Sequence, residues 1–420
     1  MVIMTVFQFL DLAARRIPSK TYNMPTLLQV NVTANWGSTG KIAEQIGLRA
    51  MAHGWKSYIA YGRMMNPSKS QLIKIGTRAD VYEHYAEQFL FDNEGLSSRF
   101  ATKCLINKIE IINPDIVHLH NIHDHYLNYK ILFDYLNKAD TKVVWTFHDC
   151  WAFTGHCFHF VQKNCDRWKT QCHDCPLKNE YRKTISDRCY KNYSLKRLLF
   201  GGCKNLTIVP ASYWMADFVK QSFLKDKRIE VIHNGVDLNV YKPLGEKSSA
   251  SGGGKFRIIA VSNVWNADKG EQDVYKLREM LPVEEYEITM VGLSSSQVNN
   301  LPSGIKGVQR TQNINELVKL YSESDVLINP TYADTFPTVN LEALACGTPV
   351  ITYNTGGSPE AIDERTGVVV EQGDVEALAE AIRRMSIHPL FPNDCRARAE
   401  QYFDKDKCFE KYINLYGNLV

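Results

Sequence analysis

Short runs of β-branched and aliphatic residues recur through the first half of the chain, at 27–32 (LLQVNV), 57–62, 116–120 (IVHLH), 142–148 (KVVWTFH), 206–212 and 229–235. They are nearly continuous in apolar character and alternate with helical patterns, the arrangement of parallel strands buried on both faces beneath helices. The rhythm breaks at 244–255, LGEKSSASGGGK, where no apolar residue follows Leu244; a segment with nothing to bury is expected to connect and not to pack. It resumes at 256–262 (FRIIAVS), 286–292, 325–330, 349–354 and 367–371, so a second α/β unit follows the first. The final periodic stretch, about 395–419, carries Cys408, Phe409, Tyr412, Ile413 and Tyr416 at three- and four-residue spacing, an apolar face that must be covered. It is expected to close back across the first unit. Residues 24–237 then form an N-terminal domain, 238–255 a linker, 256–394 a C-terminal domain and 395–420 the returning helix, with 1–23 as an N-terminal extension ahead of the first strand. Two doubly wound parallel sheets joined in this way leave a cleft between their carboxyl edges, and polar ligands are expected there.

Composition narrows the function classes. At 420 residues, with 44% hydrophobic and 23% charged residues, the chain is too long for one core and too ordinary for a disordered or fibrous protein. Lys plus Arg 49 against Asp plus Glu 46 gives a net charge of +3, which makes no case for a nucleic-acid partner. No apolar run reaches the roughly 18 residues that span a bilayer, and MVIMTVFQFLDLAARRIPSK lacks an early basic region and a small-residue cleavage pattern, so a cytoplasmic location is expected. Six of the 11 cysteines fall between Cys150 and Cys189. In a reducing compartment that clustering suggests metal ligands before disulfides.

Three segments carry chemistry. Gly37-Ser38-Thr39-Gly40-Lys41 follows the first strand and opens a helix, so its amides suit an anion. It is not a Walker A loop, which needs four residues between its glycines and a Ser or Thr after the Lys. Lys269 follows the strand ending at Ser262, after Asn263, and offers a point charge to a departing diphosphate. In Asp334-Thr-Phe-Pro337-Thr-Val-Asn-Leu-Glu342, a strand gives way to a loop and Pro337 suits the first turn of a helix that Gly347 ends. Glu342 can accept from a vicinal diol such as a ribose, while Asp334 and the amides of Thr335, Phe336, Thr338 and Val339 can hold another polyol or a phosphate.

With these residues in order, the chain from Met24 to Val420 resembles the family-4 glycosyltransferases of GT-B fold, and through HLHNIH and WTFHDCWAFTGHC the bacterial transferases of colanic-acid and capsular polysaccharide clusters. The family's E-x7-E element corresponds to Asp334 and Glu342, its phosphate lysine to Lys269, its interdomain element to Asn234-Gly-Val-Asp237 and its glycine loop to Gly37–Gly40. The first family Glu is here an Asp, and the usual Arg five residues before the lysine falls on Val264. The resemblance implies two Rossmann-like domains facing across a cleft and a retaining, metal-independent hexosyl transfer. The donor would be a UDP- or GDP-linked sugar and the acceptor a polyprenyl-diphosphate-linked oligosaccharide. Glu342 would bind the ribose, Lys269 the diphosphate, and Asp334 through Val339, Pro337 included, the donor sugar, with Asn263 also among the donor-binding residues. Catalytic contacts fall to His120, Lys269 and Asp334, with His120 and His148 touching sugar or acceptor. A lipid-linked acceptor and the basic, aromatic segment 181–200 imply peripheral contact with the inner face of the plasma membrane.

Two other readings compete. A sugar-nucleotide-binding protein without transferase activity would suit Asp334 and Val264. A metal-dependent hydrolase would use His118 and His120, which alternation puts on one face of a strand. No cofactor for catalysis is expected, but Cys157-x7-Cys165-x6-Cys172-x2-Cys175 could close a tetrahedral structural zinc site in a segment too polar to build its own core. Disulfides or free thiols are the alternatives, and His156, His159 or His173 could replace a cysteine.

Overall fold

The computed structural model describes residues 24–180, 182–245 and 254–420; the extension 1–23, Tyr181 and most of the Ser/Gly connector lie outside the described residues. Thirteen strands form two wholly parallel sheets. The first contains β1 (Thr26–Asn31), β2 (Lys56–Tyr61), β3 (Gln71–Lys74), β4 (Ile116–Leu119), β5 (Lys142–Phe147), β6 (Leu206–Pro210) and β7 (Arg228–Ile229), in the order β3-β2-β1-β4-β5-β6-β7. The second contains β8 (Phe256–Val261), β9 (Tyr286–Val291), β10 (Ile305–Val308), β11 (Val326–Asn329), β12 (Val350–Tyr353) and β13 (Gly367–Val370), ordered β10-β9-β8-β11-β12-β13. Each order reverses direction once, between β1 and β4 and between β8 and β11. Those are the points at which a doubly wound sheet opens a crevice at its carboxyl edge. The apolar runs 27–32 and 116–120 form neighbouring strands, with Leu27 opposite Ile116 and Leu28 opposite Val117, all fully buried. The run 229–235 is mostly irregular, and the short edge strands β3 and β10 have too little apolar pattern to be seen in sequence.

Helices cover both faces. The first unit has α1 (Gly37–Ala52), α2 (Arg78–Phe91), α3 (Arg99–Ile112), α4 (Tyr129–Leu136), α5 (Cys189–Gly202) and α6 (Tyr213–Gln221); the second has α7 (Glu271–Met280), α8 (Ser295–Asn299), α9 (Ile314–Glu323), α10 (Thr338–Ala345) and α11 (Val375–Ile387). The stretch read as one returning helix is two: α12 (Pro392–Tyr402) and α13 (Lys405–Gly417). α12 stays with the second unit, where Cys395 and Ala399 share a core with Leu341 and Leu344. α13 crosses to the first, burying Phe409, Tyr412 and Tyr416 against Ile42 and Ile46 of α1. Its hydroxyls reach into the first sheet: Tyr416 OH meets His118 Nδ1 at 2.7 Å and Tyr412 OH meets Thr146 Oγ1 at 3.1 Å.

The two units also join at Val236, whose amide donates to Phe403 O at 2.7 Å and whose carbonyl accepts from Lys405 N at 3.1 Å, while Lys405 Nζ and Asp237 pair at 2.6 Å. A third seam is Glu360, from the loop after β12. Its carboxylate accepts from Tyr213 N (2.9 Å) and Trp214 N (2.8 Å) at the start of α6 and binds His233 Nε2 (2.9 Å), so an acid of one domain caps a helix of the other.

A Cβ on Gly235 would stand 2.4 Å from Lys405 Cα, a backbone atom that cannot swing aside. Gly235→Ala is therefore expected to destabilise the protein by about 1–3 kcal/mol through overpacking, checked by chemical denaturation; an unchanged midpoint would mean that the seam is not tight.

Candidate active site

On the second domain, Lys269 lies on the short turn Ala267–Lys269 after β8, and its own amide donates to the Asn266 side chain that caps the turn. Asp334 lies on the loop after the adjacent strand β11. Across the β8/β11 switch point, Lys269 Nζ sits 2.6 Å from Asp334 Oδ2 and 3.3 Å from Ala333 O. Asp334 Oδ1 accepts the amide of Phe336 at 3.2 Å, which fixes the carboxylate at the head of α10. Pro337 precedes α10 with extended backbone, and no side chain caps the helix, so its first amides open towards the same edge. The loop after β12 braces this turn through Gly357 N donating to Thr335 O at 3.0 Å. Phe336 is buried against His233, whereas Asn263 and Val264 are exposed on the β8 loop.

Glu342 lies one turn into α10 and accepts from Tyr321 OH at 3.0 Å. Burial pushes its carboxyl up to about 7, against the hydrogen bonds from Tyr321 and Tyr241 and the positive charge of Lys41, which pull it down. Lys41 belongs to the glycine loop of the first domain, so that loop and Glu342 share one electrostatic environment. In the loop itself, a Cβ on Gly40 would meet Thr33 Oγ1 at 2.6 Å and Asn35 N at 3.2 Å, and the glycine lets α1 begin directly against the end of β1.

The histidines of the first domain form a graded row. His118 is fully buried and spends both ring nitrogens on structure, Nε2 on Thr146 Oγ1 (2.8 Å) and Nδ1 on Tyr416 OH. His120 is also enclosed, with Nε2 on Gln29 Oε1 at 3.0 Å and Nδ1 on His148 Nε2 at 3.1 Å. His120, expected to contact sugar directly, has both ring nitrogens engaged by Gln29 and His148, and the half-buried His148 is the more exposed of the two histidines. The metal-hydrolase reading of His118 and His120 finds no support in this arrangement, since all four ring nitrogens bond protein side chains. Burial draws His148 down to about 4, partly offset by Asp149, so its ring is neutral at pH 7. His123 pairs with Asp149 at 2.9 Å; burial pulls its imidazole down, but Asp149 together with Glu94 and Asp124 outweighs it and raises the ring above its ordinary range.

The two halves touch at the site. Thr335 Oγ1 donates to His148 O at 2.8 Å, and Gln162 Nε2 donates to Asp268 Oδ1 beside Lys269. His159 lies within electrostatic reach of Asp149, Asp334 and Lys269. Gln29 and Gln162 were not singled out as site residues from sequence, and His159 only as a substitute zinc ligand; the position of WTFHDCWAFTGHC after a strand end hints that its insertion borders the cleft. The four cysteines of the expected zinc site, Cys157, Cys165, Cys172 and Cys175, line one small cavity together with Cys189. Among the described residues the one trio of potential metal-ligand atoms lying mutually within 4.8 Å is instead Glu94, Asp124 and His125, and its carboxylates are already paired with Arg182.

Two opposed switch points, one bearing a lysine–aspartate pair and an uncapped helix start, the other a glycine loop and a histidine row, define the class: a GT-B glycosyltransferase. Residues 47–240 match the family described as Glycosyltransferase Family 4, and residues 255–387 the family described as Glycosyl transferases group 1. The chain belongs to these glycosyltransferases. The putative colanic acid biosynthesis glycosyl transferase WcaC of Escherichia coli strain K12 is 26% identical over 417 residues, covering 94% of this chain and 100% of that one. Among solved structures, sucrose-phosphate synthase from Thermosynechococcus elongatus shares the fold with a TM-score of 0.70 at 16% identity, over 94% of this chain and 99% of that one. Anabaena Alr3699/HepE in complex with UDP-glucose does so with a TM-score of 0.62 at 13% identity, over 94% and 99%.

The raised carboxyl of Glu342 has a testable sign. The folded chain holds this proton more tightly than the unfolded chain does, so its contribution to stability is complete below about pH 4.5 and is lost as pH rises through about 7. Glu342→Gln, which cannot ionise, is expected to melt above the wild type at pH 8 and to lose that advantage at pH 5. Equal differences at both pH values in thermal unfolding would show that no buried charge forms.

Proposed function

We propose that the chain moves a hexose from a nucleoside diphosphate sugar to a hydroxyl of a lipid-linked oligosaccharide, with retention of configuration, during assembly of a colanic-acid- or capsule-type polysaccharide. The observation that carries this reading is the Lys269–Asp334 pair at the head of an uncapped helix, facing His148 of the other domain. An arriving diphosphate would draw Lys269 Nζ away from Asp334 and sit between that ammonium, the α10 amides and the Gly37–Gly40 amides. The freed Asp334 carboxylate would then accept from a donor-sugar hydroxyl, and Glu342 from the ribose diol. As the bond between the anomeric carbon and the phosphate oxygen breaks, the acceptor oxygen bonds that carbon from the same face and gives its proton to the leaving phosphate. The developing negative charge meets donors already in position, each contributing about 3 kcal/mol when well placed. His148, neutral at pH 7, can donate or accept at a sugar hydroxyl through Nδ1 while His120, itself held by Gln29, engages its Nε2. The polysaccharide assignment is supported by the likeness to WcaC over 94% of the chain, and the nucleotide-sugar donor by HepE, which shares the fold and was crystallised with UDP-glucose.

Lys269→Ala and Glu342→Ala are each expected to lower transfer by about 10²–10³-fold, followed with the UDP- or GDP-sugar that best stabilises the wild type against heat; wild-type turnover in both variants would refute the site. A second reading, a nucleotide-sugar-binding protein that does not transfer, is favoured by Val264, 65% exposed where the family has its Arg. Donor binding without transfer or donor hydrolysis across a broad acceptor panel would establish it.

Membrane contact is part of the proposal. α2 turns His84 and Gln88 inward and Tyr82, Tyr85 and Phe89 outward, next to the exposed Lys183 and Ile185, and α5 exposes Tyr190 and Leu198. None of the described helices is long and apolar enough to cross a membrane. The protein is expected to sediment with vesicles containing anionic phospholipid at low salt; full recovery in the supernatant would count against this contact.

A further inference from the structure

The segment between Cys150 and Cys189 has almost no regular structure, three single turns at Trp151–Phe153, Val161–Lys163 and Arg167–Lys169, yet it carries Gln162 and His159 to the donor side of the cleft. Its aromatic residues Phe153, Phe160 and Trp168 join the large core of the first domain. The rest of it folds around a small cavity of about 10 Å³, room for a single water-sized or ion-sized occupant and too little for an organic ligand. Five of the eleven residues that line the cavity are cysteines, Cys157, Cys165, Cys172, Cys175 and Cys189, with His156, His173 and Arg167 among the others. The chain brings them there from positions spread over more than thirty residues, with local bonds that fix the backbone around them. Asp187 accepts the amides of Cys175 (2.7 Å) and Cys189 (2.9 Å), and the Cys157 thiol hydrogen-bonds the Cys175 sulfur.

Three features around the cavity ask for negative charge inside it. The Gly155 amide already points at Cys172 Sγ, 3.3 Å away, as backbone amides do towards metal-bound thiolates. His156, 5% exposed, lines the cavity; its Nδ1 is held by Asp92 at 2.6 Å, while its buried Nε2 has no hydrogen-bond partner. Lys196, 1% exposed, donates to the carbonyls of Trp151 (2.7 Å) and Thr154 (3.1 Å), and among the described residues no carboxylate lies within ion-pair distance of it. Glu94 is the foremost acidic group within its electrostatic reach, followed by Cys172, Cys157 and Asp149. Burial outweighs them and draws the ammonium down to about 7, so thiolate charge beside it would stabilise it further. Four thiolates on one divalent cation would carry a net charge of −2 and would meet all three demands at once. Thiolate donors in a closed tetrahedral set select zinc among the common divalent ions.

We propose that Cys157, Cys165, Cys172 and Cys175 bind one zinc ion, a structural centre that fixes the insertion against the cleft. Binding would draw the four sulfurs inward to about 2.3 Å from the metal, and the four thiol protons would leave to solvent. Cys189 would line the site without ligating, and His156 Nε2 would donate to a thiolate sulfur.

The full chain, purified under reducing conditions without chelator, is expected to carry about one zinc per molecule by elemental analysis and native mass spectrometry. After exchange with Co²⁺ it is expected to show thiolate-to-cobalt charge transfer in the near ultraviolet and the intense red-region bands of a tetrahedral site. Cys172→Ser and Cys175→Ser should fall to background metal, while Cys189→Ser keeps the wild-type stoichiometry. Because a ligand variant can fail to fold, the wild type supplies an independent readout: a mercurial titration should release zinc in step with the modification of four thiols. The proposal is overturned if the wild type stays metal-free when offered equimolar Zn²⁺ or Co²⁺, if these cysteines are found as disulfides, if iron replaces zinc, or if folded Cys172→Ser retains full zinc. None of these measurements depends on sugar transfer, so they stand apart from the catalytic reading.

Discussion

The hydroxyl of Tyr416 against the imidazole of His118 is a small contact on which the geometry of the cleft depends. It places the last helix of the chain, which covalently follows the second domain, inside the first domain's own core. His118 sits on β4, two residues from His120, so the strand that anchors α13 also carries the histidine row. Both ring nitrogens of His118 are satisfied, which makes burying the imidazole tolerable. Removing either partner would leave a polar group stranded in apolar surroundings. The chain thus crosses between domains twice, at Val236 and at Lys405, and the two crossings lie side by side.

That double crossing explains how loops from different sheets meet within hydrogen-bond distance. Each sheet reverses its winding at one place only, and each reversal frees two neighbouring strand ends. On one side these deliver Lys269 and Asp334; on the other, the glycine loop and His120. The reversals alone would produce two unrelated crevices. Held by α13, they become one, with Thr335 on the backbone of His148 and Gln162 on Asp268 as the closing contacts.

The sequence announced the fold because parallel strands buried on both faces are written as unbroken apolar runs, and nothing else in the chain looks like them. β3 escaped notice as an edge strand with polar ends, and β10 because Lys306 and Gly307 interrupt its apolar residues. The separation of α12 from α13 escaped because it falls at Phe403-Asp404, where neither glycine nor proline interrupts the periodicity. Lys269, Asp334 and Glu342 were legible since each sits at a fixed distance from a strand end, and local spacing fixes such positions. The enclosure of His120 was not, because it depends on Gln29, whose side chain arrives from a strand 91 residues earlier. Likewise Cys189 joins the cysteine cavity through the start of α5 and not through any spacing shared with the other four thiols.

The acid cap that Glu360 places on α6 ties the two domains through a single side chain. Were the halves to part at this edge, two backbone amides and an imidazole would lose their common acceptor together, and a carboxylate only 19% exposed would have to be hydrated at the same moment.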